Sequence, residues 1–330
     1  MKILTPQAIR RLIAGILVLG LALLPLSAVA AVYYTIDLEA VAAFSTYGPK
    51  SSSGLVSGTF TDAGVTYRYQ LQGAGTAAQG VHGILPSLSG DARAGDASLL
   101  LQVPRLTSSG GGQPPVSPDA NGRSQVYSDT ATFDHGDDRY TAFSVKIDPA
   151  TFADPTDFLL FVQWHQQANA SGGGNSPCVE LRIKHNVPHP ANAWLAEIIT
   201  RNTGGNIHEP TFELPKNAWV AFVVHTRFVE LTADGTVEVW MKRAGESWDT
   251  DDDGAWSASE RRVVNVTNRK IGYWSSTQAD RLAKVKYAVY RGPNGGQWDR
   301  EHRVLFDEIR FGATRDEVAS NITRLTFTRP

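Results

Sequence analysis

The sequence contains little that could cross-link the chain or give it a strong charge. Cysteine occurs once in 330 residues, at Cys178, which excludes an internal disulfide. We expect this side chain to be small and buried rather than reactive. The formal net charge is −2 at neutral pH, which gives no general attraction to nucleic acid or to an anionic membrane. We therefore expect neither nucleic acid nor a membrane as a partner. We also expect a monomer.

Long hydrophobic runs are also missing, apart from one at the amino terminus. Residues 1–30 combine a basic start, an apolar stretch over residues 12–26 and an Ala-x-Ala motif at residues 28–30. This is the layout of a secretory signal peptide, with an uncleaved anchor as the alternative. No later segment approaches the roughly 20 continuous apolar residues that a spanning helix needs. We expect residues 31–330 to be secreted or periplasmic.

Helix signals are scarce, and most of the pattern indicates β structure. Thirteen short stretches alternate apolar and polar residues, separated by clusters of Gly, Pro, Asn and Asp. This number of strands suits two antiparallel sheets packed face to face. The cluster over residues 107–122 has the composition of a linker, but the strands before it are too few to bury a separate core. We predict a long surface loop and a single domain over residues 31–330.

One candidate strand, DFLLFVQWHQQ at residues 157–167, changes character near its end. Successive side chains of a strand point to opposite faces. Strict alternation predicts one face with Phe158, Leu160, Val162 and Trp164, and another with Leu159, Phe161, Gln163 and His165. Gln163 and His165 therefore project together. They either mark the point where the strand leaves the core or belong to a functional site.

Two other strands carry polar residues on one face in the same way. In KVKYAVYRG, residues 284–292, Lys284, Lys286 and Tyr290 alternate with an apolar face. The residues aligned in NGRSQVYS are Arg123, Gln125 and Tyr127. Each face could be an ordinary solvated surface. Together, the residue types favour a particular chemistry.

That chemistry is the cleavage of a uronic-acid polysaccharide by β-elimination. The reaction removes a weakly acidic proton beside the sugar carboxylate and then expels the glycosidic oxygen. Arg and a Gln amide can neutralise the carboxylate and stabilise the enolate-like charge that develops. A neutral His can accept the proton, and a Tyr hydroxyl can protonate the leaving oxygen. No cofactor is required for these steps.

Four stretches also resemble a known family. They are FLLFVQWH, GDDRYTAFSVKI, WVAFVVHTRFVELTADGTVEVWMKRAG and KVKYAVYRG, and they span most of residues 121–312. In order and spacing they resemble the secreted jelly-roll polysaccharide lyases. The heparin-lyase-I-like group is nearest, and the similarity to glucuronan and alginate lyases is more distant. The resemblance implies an all-β, concanavalin-like jelly-roll sandwich and an acidic polysaccharide substrate.

The resemblance also implies residue roles. His165 and Tyr290 would form the base and acid pair, and either could take the proton, depending on the stereochemistry of the substrate. Gln163 and Arg123 would engage the substrate carboxylate. Lys286 would be a further cationic contact. Independently of the resemblance, the other basic residues near the proposed site that we expect to contact the substrate are Lys284, Arg291 and Arg182.

A calcium site is a separate expectation. DTDDDGAWSASE matches the spacing of a calcium-binding loop, with Asp249, Asp251, Asp253, Gly254 and Glu260. Its flanks read as strand and loop, which excludes a paired-helix EF-hand domain and leaves open both a calcium loop and a solvated acidic turn. The family resemblance offers a rival position near Asp307. Either ion would be structural.

Two other functions compete with the lyase. A noncatalytic carbohydrate-binding or adhesion protein could use the same fold. It would bind through exposed aromatic residues such as Trp164, Trp274 and Trp298. Glycoside hydrolysis needs two carboxylates flanking the bond. The sequence has no strand with the Glu-x-Asp-x-x-Glu pattern of jelly-roll hydrolases, which disfavours it.

Overall fold

The computed structural model describes thirteen segments of the chain: residues 34–36, 55–62, 65–72, 83–86, 98–103, 122–148, 159–166, 177–202, 204–229, 232–243, 261–272, 283–291 and 302–319. All of them belong to one compact unit, Val32–Pro330. Within these segments the secondary structure is almost entirely β, with seventeen strands and one short helix, Arg315–Ala319. None of the described residues forms a helix that is long and apolar enough to cross a membrane.

The strands alternate polar and apolar residues, as the sequence pattern predicts. In chain order they are β1 (Tyr34–Ile36), β2 (Leu55–Asp62), β3 (Val65–Gln72), β4 (Gly83–Pro86), β5 (Leu99–Val103), β6 (Gly122–Phe133), β7 (Asp138–Ile147), β8 (Leu159–Gln166), β9 (Val179–Ile183), β10 (Ala193–Asn202), β11 (Gly205–His208), β12 (Phe212–Pro215), β13 (Val220–Arg227), β14 (Gly235–Arg243), β15 (Arg261–Arg269), β16 (Ala283–Arg291) and β17 (His302–Gly312).

The strands form two antiparallel sheets. The eight-stranded sheet has the order β15-β14-β13-β7-β17-β5-β4, with β1 beside β17. The nine-stranded sheet has the order β11-β10-β9-β8-β16-β6-β3-β2, with β12 beside β10. The chain passes from β6 to β7 to β8, and from β16 to β17, by changing sheets each time. This exchange between two antiparallel sheets is the architecture of a jelly-roll sandwich, and it confirms the predicted fold class.

Aromatic residues join the two sheets across the core. Tyr287 of β16 contacts Phe143 of β7 and Phe306 of β17, with ring centroids 5.7 and 5.5 Å apart. These rings meet edge to face, which is a favoured geometry for aromatic pairs. Burying each large apolar side chain stabilises the fold by about 1.5–3 kcal/mol. The inner face of β16 is therefore fixed by the core, and its outer face is held in a defined position.

Strand β8 departs from strict alternation. Its pairing with β9 changes register between Leu160 and Val162. The side chains of β8 that belong to the core are Leu159, Phe161, Val162 and Trp164. The predicted faces are therefore wrong for Leu159, Leu160 and Phe161, because a β-bulge inserts an extra residue and reverses the parity of the strand. Beyond the bulge, Gln163 and His165 project together, as predicted.

Candidate active site

The predicted site residues lie on the outer face of the nine-stranded sheet, where β16 runs between β6 and β8. Three cross-strand pairs bring them together: Tyr290 with Arg123, Lys286 with Gln163, and Lys284 with His165. Residues directly opposite each other on paired strands project to the same side and lie close together. The four predicted catalytic residues and two of the predicted lysines thus share one face.

His165 is held as a neutral imidazole. Its Nδ1 lies 2.7 Å from the backbone oxygen of Gln166. A carbonyl oxygen only accepts hydrogen bonds, so Nδ1 carries the hydrogen and Nε2 keeps its lone pair. Burial, reinforced by the charge of Lys286, lowers the pKa of His165 to about 4 despite the opposing bond to Gln166. Near neutral pH, His165 can therefore accept a proton at Nε2.

Tyr290 is held as a phenol beside a guanidinium. The Arg123 side chain lies over the Tyr290 ring, 5.1 Å from its centroid. Burial raises the pKa of Tyr290, the charge of Arg123 lowers it, and the carboxylate of Glu180 raises it, with a net increase. The hydroxyl therefore stays protonated across the neutral range and can donate a proton.

Two cations of this face have no carboxylate partner within the described segments. Arg123 forms no ion pair there, and its buried Nε has no hydrogen-bond partner. Lys286 lies over the Tyr127 ring, with Nζ 5.3 Å from the centroid. Burial lowers the pKa of Lys286 to about 8, and the charges of Arg123 and Lys284 act in the same direction. Because partly desolvated charges without counter-charges are unfavourable, this face favours an incoming anion.

The other polar groups of the face complete this surface. Nε2 of Gln163 donates a hydrogen bond to Oε1 of Gln125, at 3.1 Å. Lys284 also approaches the Tyr127 ring, with Nζ 5.6 Å from its centroid. The surface thus combines amides, cations and phenols, with no carboxylate on β6, β8 or β16 among the described side chains of this face.

Arg182 lies on the same face but has a different environment. It is 7% exposed, and its Nε donates to Oε1 of Glu197 at 2.9 Å. Its Nη1 lies 3.9 Å from Oε2 of Glu180. The other oxygen of Glu180, Oε1, accepts a hydrogen bond from Nη1 of Arg201 at 2.6 Å. The charge of Arg182 is therefore matched inside the sheet. The sequence did not identify Glu180 and Glu197 as partners of this arginine. The Glu-x-Arg spacing of Glu180 and Arg182 could have indicated an ion pair, because residues two apart on a strand share a face.

Several predicted residues lie outside the described part of the chain or have undescribed side chains. The calcium-loop residues Asp249, Asp251, Asp253 and Glu260 are outside it, as are Trp274 and Trp298, and the side chain of Arg291 is not described. Trp164 is fully buried, so it cannot be one of the exposed aromatic residues that the carbohydrate-binding alternative requires.

The rival calcium position falls within the described residues. Asp307 is buried, and its Oδ1 accepts the backbone N–H of Glu308 at 2.7 Å. Among the described residues, no group of three or more His, Cys, Asp or Glu side chains is placed to hold a metal ion. Both calcium positions therefore stay sequence-based predictions.

Comparison with known proteins gives one family and several distant structural likenesses. A family model described as polysaccharide lyase matches residues 89–310. No curated protein matches. A solved family 7 alginate lyase, A1-II′, in complex with product is 10% identical with a TM-score of 0.42, covering 74% of this chain and 95% of its own.

Two further solved structures show similar values. An alginate lyase from Klebsiella pneumoniae is 11% identical with a TM-score of 0.42, covering 70% of this chain and 85% of its own. The catalytic domain of a GH131 β-glucanase from Podospora anserina is 14% identical with a TM-score of 0.39. The similarity covers 68% of this chain and 76% of the β-glucanase chain.

Proposed function

Because the chain belongs to the polysaccharide lyase family, whose model covers residues 89–310, we propose that it cleaves a uronic-acid-containing polysaccharide by β-elimination. One observation carries this proposal: two partly desolvated cations without carboxylate partners in the described segments lie beside a neutral imidazole and a protonated phenol. A uronate supplies the missing negative charge. The amino-terminal residues 1–30 support export of the enzyme.

The roles follow from the protonation states. Arg123, Lys286 and the amide of Gln163 bind the uronate carboxylate and stabilise the charge that moves onto it as the adjacent C5–H bond breaks. Nε2 of His165 takes the C5 proton. The C5–H electrons form the C4–C5 double bond, and the bond from C4 to the glycosidic oxygen breaks. Tyr290 protonates that oxygen, and proton exchange with solvent restores both residues.

The assignment of base and acid rests on opposite pKa shifts. The pKa of His165 is lowered to about 4, so the imidazole is available as a base at neutral pH. The pKa of Tyr290 is raised, so the phenol keeps its proton until it is needed. Enzymes commonly separate an acid and a base in this manner. We therefore assign proton abstraction to His165 and leaving-group protonation to Tyr290.

The direct test is product formation from acidic glycans. The purified protein is incubated with heparin, heparan sulfate, glucuronan and alginate, and the ultraviolet absorbance of unsaturated uronate ends is followed. We expect product from at least one of them. Tyr290→Phe and His165→Gln should each reduce kcat by about 10²–10⁴-fold.

A matched control uses the other sheet. Tyr140→Phe changes a tyrosine on β7 that stacks on His225, with ring centroids 4.4 Å apart, and it should leave activity unchanged. A noncatalytic binding protein would give no product, and its glycan binding would be unaffected by Tyr290→Phe. Absence of product from all four polysaccharides would contradict the proposal.

A further inference from the structure

We propose that Gln125 is a positioning residue that fixes the Gln163 amide for the substrate carboxylate, with Ala288 leaving the space for their contact. The inference rests on the proposed function, since it concerns how that carboxylate is held. It assigns a role to two residues that do not themselves carry out proton transfer.

The contact crosses a whole strand. Strands β6 and β8 both pair with β16, which lies between them. Neighbouring strands are about 4.8 Å apart, so the backbones of β6 and β8 are separated by roughly twice that distance. Gln125 and Gln163 nevertheless meet, with Nε2 of Gln163 donating to Oε1 of Gln125 at 3.1 Å. Only long side chains that extend toward each other over β16 can make this contact.

Ala288 is the small residue of β16 on the face that the contact crosses. It lies opposite Gln125 in the register of β16 with β6. It alternates with the core residues Tyr287 and Val289 and is not part of the core cluster, yet it is 0% exposed. The side chains above it therefore cover it. A β-branched side chain at this position would occupy the space in which the two amides meet.

The hydrogen bond has a consequence for substrate binding. A glutamine side chain has several rotatable bonds, and ordering it has an entropic cost. The bond to Gln125 holds one conformation before substrate arrives. It uses one of the two N–H donors of the Gln163 amide. Gln163 makes no other side-chain hydrogen bond within the described segments, so the second donor is available for a carboxylate oxygen.

The neutrality of Gln125 also matters. Arg123 is two residues away on the same strand and the same face. A carboxylate at position 125 could still accept the hydrogen bond from Gln163, but it would place a negative charge beside the cation that binds the substrate. In this chain, a neutral acceptor at position 125 orients Gln163 and adds no negative charge beside Arg123.

Three variants separate these requirements. Gln125→Met keeps the size of the side chain and removes the acceptor, and we expect kcat to fall about 10–100-fold, as misplaced catalytic groups do. Gln125→Glu keeps the acceptor, and we expect kcat within about threefold of the wild type but a KM raised about tenfold by charge repulsion. Ala288→Val should match the loss in Gln125→Met, and the double variant should lose no more than either single variant, because both act on one contact.

The control and the outcomes are defined by the same assay. Gln102→Met alters a glutamine on β5 of the other sheet and should change neither kcat nor KM. Thermal unfolding checks that each variant is folded at the assay temperature, and Gln125→Glu retains the test if Gln125→Met is unfolded. A wild type without lyase activity would overturn both the function and this inference. An active wild type with unchanged kcat in Gln125→Met, or with equal kcat losses in Gln125→Met and Gln125→Glu, would overturn the inference alone.

Discussion

Replacing Lys286 by Met is expected to move the acid side of the pH dependence of kcat/KM toward neutral pH. This parameter reports the ionisation of the free enzyme. The pKa of His165 is lowered to about 4, so the base is present above that pH and is lost as pH falls through it. At pH 5.5 such a histidine is about 97% neutral, whereas one with the ordinary pKa of 6.5 would be about 10% neutral. The shift is thus worth about tenfold in available base at pH 5.5.

The size of the effect of Lys286 follows from the strand register. Lys286 lies opposite Gln163, so His165 is its diagonal neighbour across the strand pair. The backbones of diagonal neighbours are about 7–8 Å apart, and we take this spacing as the separation of the two charges. At that distance two like charges interact by roughly 2 kcal/mol with an effective dielectric constant of 20, and solvent at the open face weakens this. We therefore expect the acid midpoint to rise by about one pH unit in Lys286→Met.

The alkaline limb of the kcat/KM profile provides a second test of the role of Lys286. The pKa of Lys286 is lowered to about 8, so its positive charge is present below that pH and is lost as pH rises through it. Wild-type kcat/KM should therefore decline above about pH 8, and this limb should be absent from Lys286→Met, whose kcat/KM is lower throughout.

Initial rates at substrate concentrations well below KM, at constant ionic strength, give both midpoints. Lys184→Met is the control. Lys184 is on the same sheet, with Nζ 3.7 Å from Oε2 of Glu197, and the charges that lower the pKa of His165 are those of Lys286, Arg123 and Arg201. Ionisation of the substrate affects the wild type, Lys286→Met and Lys184→Met equally, so it does not change the comparison between them. A wild-type acid midpoint near 6.5, or one that Lys286→Met leaves unmoved, would refute the reasoning.

Two further expectations concern stability. Arg182→Met removes a buried partner of Glu197 and should lower the free energy of unfolding by about 3–5 kcal/mol in denaturant titrations. Arg123→Met should abolish activity without lowering the free energy of unfolding, because it removes a partly desolvated cation that has no carboxylate partner in the described segments. A stable, inactive Arg182→Met together with an active, destabilised Arg123→Met would contradict both assignments. Gly235→Ala would bring a Cβ within 2.5 Å of the backbone oxygen of Arg269, so it should destabilise the protein by about 1–3 kcal/mol without altering KM. A thermal unfolding midpoint equal to that of the wild type would contradict this prediction.

Much of the sandwich could be predicted because side-chain alternation is a local property of an extended backbone. The pattern of β16 needs no knowledge of its neighbours: Val285, Tyr287 and Val289 lie in the core, and Lys286 and Tyr290 lie on the opposite face. The same reasoning brought Gln163 and His165 to one side of β8. Local alternation therefore identified the face that carries the candidate site.

The parts that could not be predicted depend on pairing between distant segments. The bulge of β8 appears only in its register with β9 and β16, so the positions of Leu159 and Phe161 could not be read from β8 alone. The hydrogen bond between Gln163 and Gln125 joins residues 38 positions apart. Periodicity shows which way a side chain points, but its partner depends on which strand lies beside it.

Arg123 and Arg182 show why the partner decides the role. Both are arginines on the same face of the nine-stranded sheet, and β6 and β9 are separated only by β16 and β8. Arg182 is paired with Glu197, so its charge contributes to holding β9 against β10 and is poorly suited to bind substrate. Arg123 has no such carboxylate in the described segments, and its desolvation is compensated only when an anion arrives. Composition and spacing would assign the two residues equal roles. The distribution of counter-charges instead favours a structural role for Arg182, and it supports our proposal that Arg123 binds the substrate.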